Sequence, residues 1–87
     1  MKALDDAINQ CGLKDIVKVG LEFSANDLYK PDVKKYEMEN PNPKNFLDLN
    51  QLVDFYFKLC TDKPSIGYLE DPIIAEDPDG WIKLKVY

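Results

Sequence analysis

The sequence predicts an α/β fold of about two parallel strands with flanking helices and a short β-ribbon excursion, the pattern of a partial (β/α) barrel. Three observations carry this. Two apolar runs of strand length, Ile16–Phe23 and Ile66–Leu69, each end in an acidic residue near the strand terminus. Segments with helical apolar spacing lie before, between and after them. A polar, proline-bearing stretch interrupts the order once, giving helix, strand, excursion, helix, strand, helix. Parallel strands joined by helices need both sheet faces covered, and two strands do not make a stable parallel sheet alone. That order is what a slice of a larger barrel shows.

The first helix follows from Ala3, Leu4, Ala7, Ile8 and Cys11, with Gly12 placed where a helix C-terminus needs positive φ. Ile16, Val17, Val19, Leu21 and Phe23 then form a nearly continuous apolar run, as in strands covered on both faces. From Asn26 to Asn45 the residues are polar. This stretch is expected to hold a small ribbon through Lys35–Met38, to close at Asn40-Pro41-Asn42-Pro43, and to stay outside the core. Asp48 and Gln51 make a capping box that starts the next helix, whose apolar face is Leu52, Val53, Phe55, Tyr56, Leu59 and Cys60. Proline disfavours helix in the residue before it, so this helix ends before Lys63-Pro64. A short strand, Ile66, Tyr68 and Leu69, runs into Glu70-Asp71-Pro72, and Asp77-Pro78-Asp79 opens a last helix through Trp81, Ile82 and Leu84.

Length and composition bound the rest. Eighty-seven residues make one unit, and a chain this short buries only about 60–65% of its unfolded surface, so a partner surface is expected to help it. The remainder of a barrel or a homodimer partner would serve. Sixteen acids against eleven lysines and arginines give a net charge of -5, with no basic stripe to hold nucleic acid. There is no histidine, which excludes Ser-His-Asp and Cys-His catalysis and the usual zinc clusters. Cys11 and Cys60 lie in apolar helical registers and read as buried free thiols in a reducing compartment. The first residues carry acids where a secretory signal is apolar, and no window reaches the ~18 apolar residues of a membrane span, so a cytoplasmic location is expected and no membrane partner.

Residues at the C-terminal ends of barrel strands converge on one mouth, where chemistry is done. Glu22 and Glu70 occupy those ends, and a pair of carboxylates there suits a hard divalent cation such as Mg²⁺. The acids Glu70, Asp71, Glu76, Asp77 and Asp79 lack the regular spacing of a calcium loop and read as an exposed loop and a helix cap. Phe55, Tyr56, Phe57 and Trp81 read as packing residues.

Four segments in order resemble a known family. Asp15–Ala25 is similar to a strand of pattern VxIGMDVAASEF, Lys35–Met38 to KYDLDF, and Asp48–Tyr56 to SPDQLADLY. The most specific is Tyr68-Leu69-Glu70-Asp71-Pro72, which resembles SIEDP, with Trp81 at a later tryptophan. The family is enolase, and the resemblance covers nearly all 87 residues as part of its C-terminal barrel domain. It implies interconversion of 2-phosphoglycerate, a small phosphorylated acid, and phosphoenolpyruvate in glycolysis, a lyase reaction through a Mg²⁺-stabilised enolate. It implies metal ligation by Glu70, which matches its motif, and by Glu22, which stands where the family has aspartate. The family's third metal carboxylate, base lysine, acid glutamate and phosphate-binding groups fall in segments outside these residues, so no catalytic residue is assigned and these residues alone are expected to be inactive. The alternative is a non-catalytic enolase-like protein serving a cytoskeletal or flagellar assembly.

Overall fold

The computed structural model describes residues 1–38 and 45–86. Its elements are α1 (Lys2–Gln10), β1 (Val19–Glu22), α2 (Ala25–Leu28), β2 (Tyr29–Lys30), β3 (Lys35–Met38), β4 (Asn45–Leu47), α3 (Leu49–Asp62), β5 (Ile66–Glu70) and α4 (Pro78–Val86). β1 and β5 pair in parallel, while β2, β3 and β4 form a separate antiparallel sheet in that order. Among the described residues the mixed α/β unit has two parallel strands with flanking helices, and these strands close no barrel. The fold class is therefore that of a partial barrel.

Local chemistry explains most boundaries. α1 ends as the Gly12 position demands: Gly12 has φ 70°, its amide reaches the Asn9 carbonyl at 3.1 Å, and the Leu13 amide reaches Ile8 at 3.0 Å. α3 begins with both halves of the capping box, Gln51 amide to Asp48 Oδ1 at 2.8 Å and Asp48 amide to Gln51 Oε1 at 2.9 Å. α4 starts at Pro78, and Asp77 Oδ1 accepts the Gly80 amide at 3.0 Å.

Several sequence expectations need correction. The first strand does not begin at Ile16. The Ile16 and Val17 amides both bond to the Leu13 carbonyl, at 3.0 and 2.9 Å, so a turn takes the donors a strand would use, and Ile16 is 76% exposed. The polar excursion is not outside the core: Tyr36 is buried among Ala25, Leu52, Val53, Tyr56 and Ile73. It also holds α2 and a three-stranded sheet rather than one ribbon, while the expected turn at Asn40-Pro41-Asn42-Pro43 lies outside the described residues. Cys11 is a free thiol but exposed, because α1 buries no residue; Cys60 is free and half-buried. Phe57 is exposed too, at the margin of the α3 face that buries Leu52, Val53 and Tyr56.

The core sits on one side of the parallel sheet. Leu69 and Phe23 pack against the buried cluster, and Phe23 stands edge-on to Tyr56 with ring centroids 4.7 Å apart. Leu52, fully buried at the centre, contributes roughly 2–3 kcal/mol by removal from water. The opposite face of the sheet, with Gly20, Glu22, Tyr68 and Glu70, is exposed. Parallel strands predict coverage on both faces; here helices cover one. In a closed barrel the second face is the interior, filled by side chains of the other strands.

Candidate functional site

The site starts from the parallel register. Leu21 pairs with Leu69 and Glu22 with Glu70 at the C-terminal ends of β1 and β5. Side chains alternate along a strand and register partners share a face, so both carboxylates project from the open face of the sheet, on backbones about 4.8 Å apart. The pairing continues one step past the strands, with the Phe23 amide on the Glu70 carbonyl at 3.0 Å. The structure thus brings together the two residues singled out in the sequence.

Two like charges side by side repel unless a cation comes between them. Among the described residues neither glutamate is held in an ion pair; the Lys30–Glu37 pair, at 3.3 Å, lies on the other sheet. Glu22 Oε1 accepts the Ser24 hydroxyl at 3.2 Å. The donors are hard carboxylate oxygens, which suits Mg²⁺ in kind. In number they do not complete a centre: among the described residues no group of three or more acidic, cysteine or histidine side chains is arranged to hold a metal.

Just beyond the glutamates both backbones turn sharply. Ser24 has φ 49° and Asp71 φ 50°, left-handed conformations that end the strands and carry each backbone away from the sheet. Between the two exits lies a hollow of about 260 Å³, lined by Ser24, Asn26, Asp27, Asp71, Ile73 and Trp81 among others. Glu22 and Glu70 do not line it. Sequence reading missed Ser24, Asn26 and Asp27 as mouth residues; the signal available was their place just after a strand end. A larger hollow, about 390 Å³, lies at the opposite ends of the strands, where Asp5, Asp15 and Asp62 alternate with Lys14, Lys18 and Lys63. Mixed charge at that end makes it the weaker candidate, since barrel chemistry sits at the strands' C-terminal ends.

The segment after Glu70 is held from several directions. Tyr56 Oη donates to the Pro72 carbonyl at 2.6 Å, and the Ile74 amide donates to Tyr36 Oη at 3.1 Å. Trp81 Nε1 donates to the Ile74 carbonyl at 3.0 Å, and the Ala75 amide reaches Asn26 Oδ1 at 3.4 Å. Trp81, expected as a packing residue, is partly exposed and acts here as a hydrogen-bond donor. Burial raises the pKa of both tyrosines. For Tyr36 the Ile74 amide offsets part of that rise and Asp77 adds to it, while for Tyr56 the neighbouring Tyr36 adds to it. Both hydroxyls therefore stay protonated at neutral pH.

No helix among the described residues is long and apolar enough to cross a membrane. Comparison with protein-family models matches residues 1–87 to the model described as "Enolase, C-terminal TIM barrel domain". That match spans the strand-end glutamates, the turn after Glu70 and both core tyrosines, and on it the chain belongs to the enolase family through its C-terminal TIM barrel domain.

Proposed function

We propose that these residues supply two strand ends of an enolase active-site mouth, and that the complete protein interconverts 2-phosphoglycerate and phosphoenolpyruvate. The observation that supports this best is the register pairing of Glu22 with Glu70 on the open face of a parallel sheet. In this reading Glu70 and Glu22 each give a carboxylate oxygen to Mg²⁺, and the rest of the barrel, or a homodimer partner, supplies the other donors and the acid–base groups. When bound, the cation supplies positive charge against a carboxylate-bearing substrate. The protein's own part is to hold two oxygens in place and to keep the mouth open between Ser24 and Asp71. The free thiols of Cys11 and Cys60 suit a reducing, cytoplasmic setting.

A coupled assay for phosphoenolpyruvate, run with Mg²⁺ on the intact protein, tests the reading. Glu70→Gln is expected to lower turnover by at least about a hundredfold, the scale of a lost metal carboxylate. A wild-type protein that forms no product sinks the catalytic reading.

One observation favours a second role. Glu22 is one methylene longer than the family's aspartate, and its carboxylate is engaged by Ser24 at 3.2 Å. A scaffold that has given up catalysis, serving a cytoskeletal or flagellar assembly, tolerates that change; a tight octahedral centre does so less readily. Glu22→Asp separates the two: a gain in Mg²⁺ affinity supports a weakened metal site, and no change supports the scaffold.

A further inference from the structure

We propose that Tyr36 and Tyr56 are positioning residues for Glu70, acting as a two-sided clamp on the backbone that leaves the strand after it. The inference rests on the reading of Glu70 as a metal ligand and adds how its carboxylate is held.

Sheet pairing fixes the backbone as far as Glu70, whose carbonyl takes the Phe23 amide, and one bond from the Ala25 amide to the Asp71 carbonyl ties the exit that follows. The next residue, Asp71, is left-handed, so the backbone swings out of the sheet at once. Beyond it, Pro72 has no amide to donate, and its one backbone polar group, the carbonyl, accepts from Tyr56 Oη at 2.6 Å. Two residues on, the Ile74 amide is spent on Tyr36 Oη at 3.1 Å. The two hydroxyls thus grip opposite sides of Ile73, itself buried.

Neither tyrosine is free to yield. Both rings are almost wholly buried, Tyr56 against Phe23 and Tyr36 beside Tyr29 at 5.1 Å between centroids. They come from different elements, α3 and β3, so the strand exit is referenced to the helix layer and to the antiparallel sheet together. The small sheet within the polar excursion thereby delivers one phenol to the turn behind Glu70. A carboxylate that must meet a cation within a few tenths of an ångström depends on its backbone being held in this way.

The test compares Tyr36→Phe and Tyr56→Phe in the full-length protein, with Ser65→Ala as a control that removes the distant Ser65–Asp5 hydrogen bond. Mn²⁺ binding is followed by electron paramagnetic resonance, melting temperature is recorded for each variant, and hydrogen exchange is measured over residues 71–75. Exchange of the Ile74 amide is expected to quicken roughly fivefold in Tyr36→Phe, as one hydrogen bond is lost. Mn²⁺ affinity is expected to fall about tenfold in both tyrosine variants and to hold in Ser65→Ala, whatever each loses in melting temperature. Unchanged affinity in both tyrosine variants of a protein that binds Mn²⁺ overturns the positioning role alone. A wild type that binds no Mn²⁺ overturns the metal reading beneath it, and the exchange data still report whether the clamp exists. Should Tyr56→Phe fail to fold, Tyr36→Phe decides.

Discussion

Ser24, two residues past Glu22, and Asp71, one past Glu70, leave the paired strands with φ 49° and 50°, and the Asp71 carbonyl accepts the Ala25 amide at 3.0 Å. Each residue ends one strand, and the bond between the segments makes the two exits a single turn-bearing rim. A left-handed backbone costs a residue with a Cβ about 1–2 kcal/mol, most of all a β-branched one. Ser24→Val is therefore expected to destabilise by about 1–2 kcal/mol, and Ser24→Gly to be neutral or slightly stabilising. Urea denaturation of the intact protein checks both, and equal effects from the two would contradict the backbone argument.

Tyr56→Phe keeps the packed ring but strands the Pro72 carbonyl in a buried site. An unsatisfied buried acceptor costs about 1–3 kcal/mol, and that loss is expected in equilibrium unfolding. Phe23→Leu is expected to lose the edge contacts with Tyr56 and Phe55, about 1–2 kcal/mol, with the Tyr56 hydrogen bond kept.

The same tyrosines set an alkaline limit. Their folded pKa values lie above the ordinary 10.0, so the folded state holds those protons more tightly than the unfolded state does. The contribution is whole below about pH 10 and is lost as pH rises from there through the folded values. Each group can add up to ~1.4 kcal/mol of loss per pH unit in that window. Tyrosinate absorbance from these two residues is expected to appear with unfolding rather than ahead of it, and Tyr36→Phe to flatten the alkaline fall. A wild-type stability that does not change between about pH 10 and 12 would rule this out.

Gly80 stands in the first turn of α4, where alanine would ordinarily help the helix by about 1 kcal/mol. A Cβ there would lie 2.8 Å from Ile73 Cγ2, 2.9 Å from Asp77 Oδ2 and 3.0 Å from Leu49 Cδ1. Ile73 is fixed by burial and Asp77 is the helix cap, so neither yields cheaply. Overpacking outweighs propensity, and Gly80→Ala is expected to lose about 1 kcal/mol net, read as a lowered melting temperature.

The features legible in the sequence are those decided within a few residues. The capping box at Asp48 and Gln51, the Gly12 helix end and the Asp77-Pro78 start each follow from neighbours in sequence, and each is present. Strand-end placement of Glu22 and Glu70 is legible for the same reason, and their pairing follows from the parallel topology. Tyr36 is not. Its burial depends on Ile74, 38 residues away, and on Leu52 and Tyr56 of α3, so local polarity around it points the wrong way. Cys11 fails in the opposite sense: the apolar register of α1 is real, but that helix finds nothing to bury it against and is tied by the Ser65–Asp5 bond. The mouth residues Ser24, Asn26 and Asp27 escape because short polar side chains after a strand look like any loop until a second strand end is placed beside them.

The parallel pair of β1 and β5 forms a two-stranded sheet among the described residues, so each strand keeps one outer edge of unpaired amides and carbonyls. Beside those edges Tyr68, 61% exposed, presents an aromatic surface to water. In the nascent polypeptide such edges invite any passing extended segment, so native contacts compete there with foreign ones. Slow covering of these edges therefore lowers yield as well as stability, because aggregation and folding draw on the same unpaired groups.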